Sequence, residues 1–311
     1  MPVLLKRLGQ ALLVLVVTYV LAFLLLSALP SDAAMARFAN PELGLSNAEV
    51  AAIREEYGAD KPLIVQFFLT LGGFLTGNFG YSVQTGAAVS QMIAEALPGT
   101  VALAVVSFVL AIILALLIAV AAWMPGAAWL RALVHSLPSI MVSLPSFWVG
   151  IILIQVVSFS WGWVPVIEPS PVQSLILPSF TLALPISAPL AQVLLRSIEE
   201  IGAQPFVTVS RSRGASRWWL LTRAILRNAL LPALTMAGLL FGELVGGAVV
   251  TEAVFGRQGV GQLTVEAVAN RDTPVLLAVV LLAATAYVII NLLVDLLYPV
   301  LDPRLRRKAH S

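Results

Sequence analysis

The residues of this chain that could do chemistry are few, and they are unevenly placed. Six arginines (Arg196, Arg211, Arg213, Arg217, Arg223 and Arg227) crowd into residues 196–227. A basic stretch of this kind either engages a partner surface or lies on anionic lipid headgroups. Glu243 sits in an apolar run, where a carboxylate is costly and faces protein or a watery cavity. It either lines a solute path or holds a buried structural hydrogen bond. Ser136, Ser139, Ser143 and Ser146 recur at steps of three, four and three, which places them on one helical face. Their hydroxyls either line a path or satisfy backbone groups freed by Pro138 and Pro145.

Other chemistries are missing from the sequence. There is no Gly-x-x-x-x-Gly-Lys-Ser/Thr phosphate loop. Gly256-Arg257-Gln258-Gly259-Val260-Gly261 is glycine-rich but lacks the lysine and follows an apolar span, so it reads as a turn. His135 and His310 are too far apart to pair by spacing, and no nucleophile–base pattern is evident. The chain has no cysteine, which excludes disulfides and cysteine-ligated metal sites. No metal, cofactor or catalytic residue is expected on this chain, and ATP-driven work would need another chain to hydrolyse the ATP. A formal charge of +2 is too small to argue for nucleic acid.

The elements that must position these residues are membrane spans. Of 311 residues, 59% are hydrophobic and 11% charged, and the mean hydropathy is +0.96. Soluble domains are nearer a quarter charged. Six apolar segments, 8–29, 96–123, 133–157, 175–195, 229–250 and 274–297, are each long enough to cross the bilayer as a helix. Segment 8–29 has a basic start at Lys6 and Arg7, and Ala34-Met35-Ala36 has the form of a cleavage site. Its apolar run exceeds the 7–15 residues or so of a signal-peptide core, which favours a retained span. With alternating spans and the N-terminus inside, thirteen Lys and Arg fall on the cytoplasmic side and five on the other. That asymmetry puts both termini in the cytoplasm.

The fold class expected is an all-α membrane protein with six transmembrane helices. Residues 1–29 form the N-terminal tip and first span, 30–95 an external region, 96–303 a core of five spans, and 304–311 a basic tail. Ser46 and Glu49 have capping-box spacing for a helix in the external region. Trp161 and Trp163, in an external loop, suit the membrane interface. The 196–227 loop reads as two short helices split by Gly214. Pro205 suits the first turn of one, Ser216 caps the other, and Arg223 and Arg227 share a face of the second. Gly238, Gly242 and Gly246 share a face that lets helices pack closely, and Asp295 falls near the cytoplasmic end of its span.

Gln204-Pro205-Phe206-Val207-Thr208-Val209-Ser210-Arg211-Ser212-Arg213-Gly214, followed by Arg227-Asn228-Ala229-Leu230-Leu231-Pro232, resembles the cytoplasmic loop of binding-protein-dependent ABC importer permeases of the dipeptide, oligopeptide and nickel family. The family pattern is Asp-Tyr-Val-Arg-Thr-Ala-Arg-Ala-Lys-Gly. Phe206 stands at its tyrosine, Val207 at its valine, Arg211 at its arginine, Arg213 at its lysine and Gly214 at its glycine. Pro205 and Thr208 depart from its Asp and Arg. Tyr57-Gly58-Ala59-Asp60-Lys61-Pro62-Leu63 and Gly77-Asn78-Phe79-Gly80-Tyr81-Ser82 resemble the external region of the family's first permease subunit. Gly246–Phe255 and Gly259-Val260-Gly261 resemble its last external loop. Arg271-Asp272-Thr273-Pro274 and Asp302-Pro303-Arg304 match the boundaries of its sixth span.

The resemblance implies a non-catalytic permease of an ATP-driven importer in the bacterial inner membrane. Its partners would be a second homologous permease, two ATPase subunits that carry ATP and Mg, and an external substrate-binding protein. The resemblance makes residues 206, 207, 211, 213 and 214 the ATPase-coupling group. Candidate path residues are Ser139, Ser143, Ser146 and Glu243. Segment 252–272 is expected against the binding protein, through Glu252, Phe255, Arg257 and Gln258, the alternative being a re-entrant turn that seals the outer mouth. Peptide is the cargo expected, with nickel or another small solute as alternatives. A secondary transporter driven by an ion gradient is the competing reading. It would need an ionisable coupling site, for which Glu243 is the mid-span candidate.

Overall fold

The computed structural model describes residues 2–27, 61–124 and 126–301. They form helices α1 (Pro2–Ser27), α2 (Leu63–Thr76), α3 (Val89–Trp123), α4 (Ala128–Ser143) and α5 (Ser146–Leu153), the last running on as a π-helical segment (Ile154–Ser160). Then come α6 (Gln173–Gly202), α7 (Pro205–Ser212) and α8 (Arg217–Trp219). A π-helical segment (Leu220–Ile225) joins α8 directly to α9 (Leu226–Phe255), and α10 (Val260–Ala269) and α11 (Thr273–Leu301) follow. Among the described residues the one β feature is an isolated antiparallel bridge between Tyr81 and Ala88. The cap expected at Ser46, the 57–60 motif, the motif at 302–304 and His310 lie outside the described residues, as does the side chain of Asp295.

Five helices are long and apolar enough to cross a membrane, and a sixth if a bent pair counts as one span. The bent pair is the segment expected as a single helical span. Its two parts, Ala128–Ser143 and Ser146–Ser160, meet at 101°. Pro145 explains the break: the residue before a proline is pushed out of the helical region, and Leu144 is extended (φ −88, ψ 123). Two helices were not foreseen. The α2 helix carries no charged residue. The turn expected at residues 256–261 gives way at Val260 to the α10 helix, because Val260, Leu263 and Ala267 fall on one buried face.

The described residues fall into two compact units. One combines residues up to 99 with 258–288. There the Tyr19 hydroxyl of α1 donates to the Phe67 carbonyl of α2 (2.7 Å), and Phe23 meets Phe67 edge to face (5.3 Å). Val89, Ile93, Val260, Leu263, Val275 and Ala278 form a second cluster in the same unit.

The other unit, 100–257 with residues from 289 on, is organised by α6. Buried positions make up 61% of the apolar window of α6, against 17–28% for the other long spans. It packs on α4, α5 and α9. Alanines line the packed faces: Ala111, Ala115 and Ala119 on α3, Ala183 and Ala191 on α6, and Ala229, Ala233 and Ala237 on α9. In lipid, close backbone approach through small residues is what drives helices together. On α9 the backbone at Gly247 comes so near α6 that a β-carbon there would lie 2.6 Å from Leu182. Gly246, expected on the packed face, has open space beside it. Three prolines interrupt the hydrogen-bond ladder of α6 without ending it, and two of its buried hydroxyls turn back on the chain: Thr181 donates to the Leu177 carbonyl (3.0 Å) and Ser187 to the Leu184 carbonyl (2.8 Å).

Candidate functional site

The helix α7 is built by local rules. Pro205 takes the first helical position, where its missing N–H removes no hydrogen bond. Gly214 reverses the chain at φ 89, a conformation costly for any residue with a β-carbon. The Ser216 hydroxyl then accepts from the Trp219 amide (3.2 Å) and starts the next helix. That second helix is not a separate short piece. It passes through the π-helical segment straight into α9, so a movement at residues 217–219 has a continuous helical route into a span.

Adjacent residues on α7 have opposite environments. Val207 is 1% exposed and belongs to the core cluster with Leu220, Leu221 and Ile225. Phe206 is 41% exposed and Val209 50%. Val207 therefore fastens α7 to the body of the unit, while Phe206 and Val209 present apolar surface outward. Arg211 and Arg213 are both exposed.

The four residues proposed for contact with a binding protein divide differently. Glu252 is fully buried, and its carboxylate accepts from the Thr100 hydroxyl of α3 (2.7 Å). In this conformation it offers no surface to a partner. Phe255 packs over Gly150 of α5. The Arg257 Nη1 donates to both the carbonyl and the hydroxyl of Ser174 (3.1 and 2.7 Å). Residue 178 is proline, so the Ser174 carbonyl has no i+4 amide donor, and the guanidinium takes that place. Burial lowers the Arg257 pKa from its ordinary value, while the Glu252 carboxylate opposes the shift by favouring the cation. Gln258 is exposed.

The Glu243 side chain is exposed and makes no hydrogen bond or ion pair within the described residues. The buried hydrogen bond weighed for it from sequence is not formed. Ser139 and Ser143 are exposed and Ser146 half-buried. Ser136 and Ser143 donate to the carbonyls of Leu133 and Ser139 (both 2.8 Å). These are ordinary back-bonds one turn away, not bonds to the carbonyls of Val134 and Met141 that the prolines deprive of i+4 donors.

Sequence reasoning missed Asp272 as a functional anchor. It is 2% exposed. Its carboxylate accepts from the Ser82 hydroxyl and from the amides of Val83 and Gln84 (3.3 and 3.2 Å). One charge thus shapes the 82–87 turn from the start of α11. The motifs 77–82 and 271–274 stand apart in the sequence, and no spacing rule connects residues so far apart.

Comparison with known proteins places this architecture. A family model described as "Binding-protein-dependent transport system inner membrane component" matches residues 111–307, and a model of that component's N-terminal part matches residues 1–104. The glutathione transport system permease protein of Salmonella typhimurium is 36% identical over 98% of each chain. A peptide ABC transporter permease protein of Sinorhizobium fredii is 37% identical over 97% of this chain and 98% of its own. Among solved structures, the inward-facing MetNI methionine ABC transporter shares the fold at a TM-score of 0.58, with 20% identity, covering 68% of this chain and 97% of that one. An amino acid ABC transporter crystallised with histidines is similar at a TM-score of 0.50 and 18% identity, covering 67% and 94%.

Proposed function

Because the chain belongs to the family of binding-protein-dependent transport system inner membrane components, we propose that it forms, with a second homologous permease, the translocation path of an ATP-driven importer of short peptides or peptide-like solutes. Two ATPase subunits, holding ATP and Mg, power it, and an external binding protein delivers the cargo. This chain is non-catalytic. The relatives named for peptide and glutathione transport favour a peptide-like cargo over nickel.

The observation that carries the mechanism is the split character of α7. A short helix with Val207 buried behind it and Phe206 exposed in front is suited to seat in another protein's cleft. Phe206 and Val209 enter the ATPase, with Arg211 and Arg213 beside them and Gly214 setting the turn. Closure of the ATPase pair on ATP then pulls α7, and the unbroken run from residue 217 into α9 passes the movement to the spans. Glu243, exposed and without a partner among the described residues, faces the path between the two permeases together with Ser139, Ser143 and Ser146. A carboxylate facing lipid would be far costlier.

Positive-inside asymmetry supports a cytoplasmic α7 and an external 252–272 segment. In that segment Glu252 and Arg257 brace the fold, while Phe255 and Gln258 meet the binding protein. The test is affinity purification of the chain from its own cells with partners attached, followed by mass spectrometry. Recovery of a P-loop ATPase, a second permease and a binding protein holding a peptide is expected. Recovery of the intact chain as a self-sufficient homo-oligomer would overturn the reading.

A further inference from the structure

We propose that a cavity bounded by α3, α4, α6, α7 and α8 is a binding site for a phosphate-bearing anion, either a phospholipid headgroup or a soluble phosphate. The cavity has a volume of about 260 Å³, far more than the roughly 10–15 Å³ that one water requires. Arg131, Arg211 and Arg217 line it from three different elements, and His135 and Glu199 complete its polar wall.

Three guanidinium charges face one carboxylate. That carboxylate lies 3.6 Å from His135, and none of the three arginines has an ion pair within the described residues. Glu200, the neighbouring acid, is taken by Arg196 (3.0 Å). Guanidinium forks match phosphate oxygens bidentately, and donors converging from separate elements suit a tetrahedral group better than a planar one.

The apolar wall is fixed. The Trp123 indole N–H donates to the Arg217 carbonyl (3.3 Å), and its ring lies so near Gly202 that a β-carbon there would be 2.9 Å away. Outside the cavity lining, the same helix exposes Trp129, Leu130 and Leu133, apolar surface that acyl chains can cover. The site stands on this geometry and not on the coupling role of α7, although a bound anion would hold α7 against α4 and α6.

The experiment places the complete transporter in nanodiscs of phosphatidylcholine with or without phosphatidylglycerol. Native mass spectrometry counts retained phosphatidylglycerol. Hydrogen exchange of residues 205–219 reports binding of inorganic phosphate in the phosphatidylcholine discs. Retained lipid identifies a headgroup site, and protection by phosphate alone identifies a soluble ligand. Arg131→Gln with Arg217→Gln should weaken either signal by about fivefold for each guanidinium removed, while Arg131→Lys with Arg217→Lys keeps part of it. All four changes are at exposed positions. Absence of both signals in the parent, an undiminished signal in the glutamine variant, or loss of the signal whenever the ATPase is bound would each overturn the proposal.

Discussion

Replacing Arg257 with leucine should loosen the end of α9 even though the side chain is only half-buried. The change removes both donations to Ser174, including the one to the carbonyl left without a donor by Pro178. Hydrogen bonds to a charged group contribute about 1.5–3 kcal/mol each. The change also removes the cation that attracts the fully buried Glu252 carboxylate. Losing one member of a buried pair costs about 3–5 kcal/mol. Partial solvation of Arg257 argues for the low end, about 3 kcal/mol. Equilibrium unfolding of the purified chain in detergent reads this directly. Adding Glu252→Gln to Arg257→Leu should recover part of the loss, because the stranded charge is gone and Thr100 still has an acceptor. Gln258→Ala, at an exposed position, should stay within about 0.5 kcal/mol of the parent. If Arg257→Leu is equally mild, or if Glu252→Gln brings no recovery, the bracing role is wrong.

Three further outcomes follow from the same geometry. Phe206→Ala should weaken ATPase association by about 1–3 kcal/mol and leave the thermal stability of the chain unchanged, and normal assembly with normal coupled transport would remove Phe206 from the coupling role. Asp272→Asn replaces a charged acceptor of two amides and a hydroxyl, so it should cost about 1.5–3 kcal/mol and speed protease cleavage in the 82–87 turn; unchanged cleavage would count against the anchor. In this cysteine-free chain, Gln84→Cys and Ala203→Cys should react with impermeant thiol reagents from opposite faces of the membrane, whereas labelling from one face would refute the topology.

What was legible in the sequence was what local rules decide. Pro205, Gly214 and Ser216 each act within a few residues of themselves, and the structure places a helix start, a left-handed turn and a cap at those positions. The apolar runs were legible because length and hydropathy alone define a span. Features that depend on distant partners were not. Pro145 gives a 101° bend while Pro178, Pro185 and Pro189 leave α6 a single helix, and the local rule is the same for all four. Arg257 was marked by its external position, but its partner was a carbonyl freed by a proline 79 residues earlier in the chain. Val207 and Phe206 were paired in one motif, and only packing separates the anchor from the exposed knob.

The central claim is that this chain transports solute on ATP energy borrowed from partner subunits. The most direct measurement reconstitutes it in proteoliposomes with its second permease, ATPase subunits and binding protein, and follows uptake of a labelled peptide. Uptake should require ATP on the face that carries α7 and the peptide-loaded binding protein on the other, and it should persist when ionophores collapse every ion gradient. Uptake that continues without ATP and stops on addition of an ionophore would contradict the account and identify an ion-driven transporter instead.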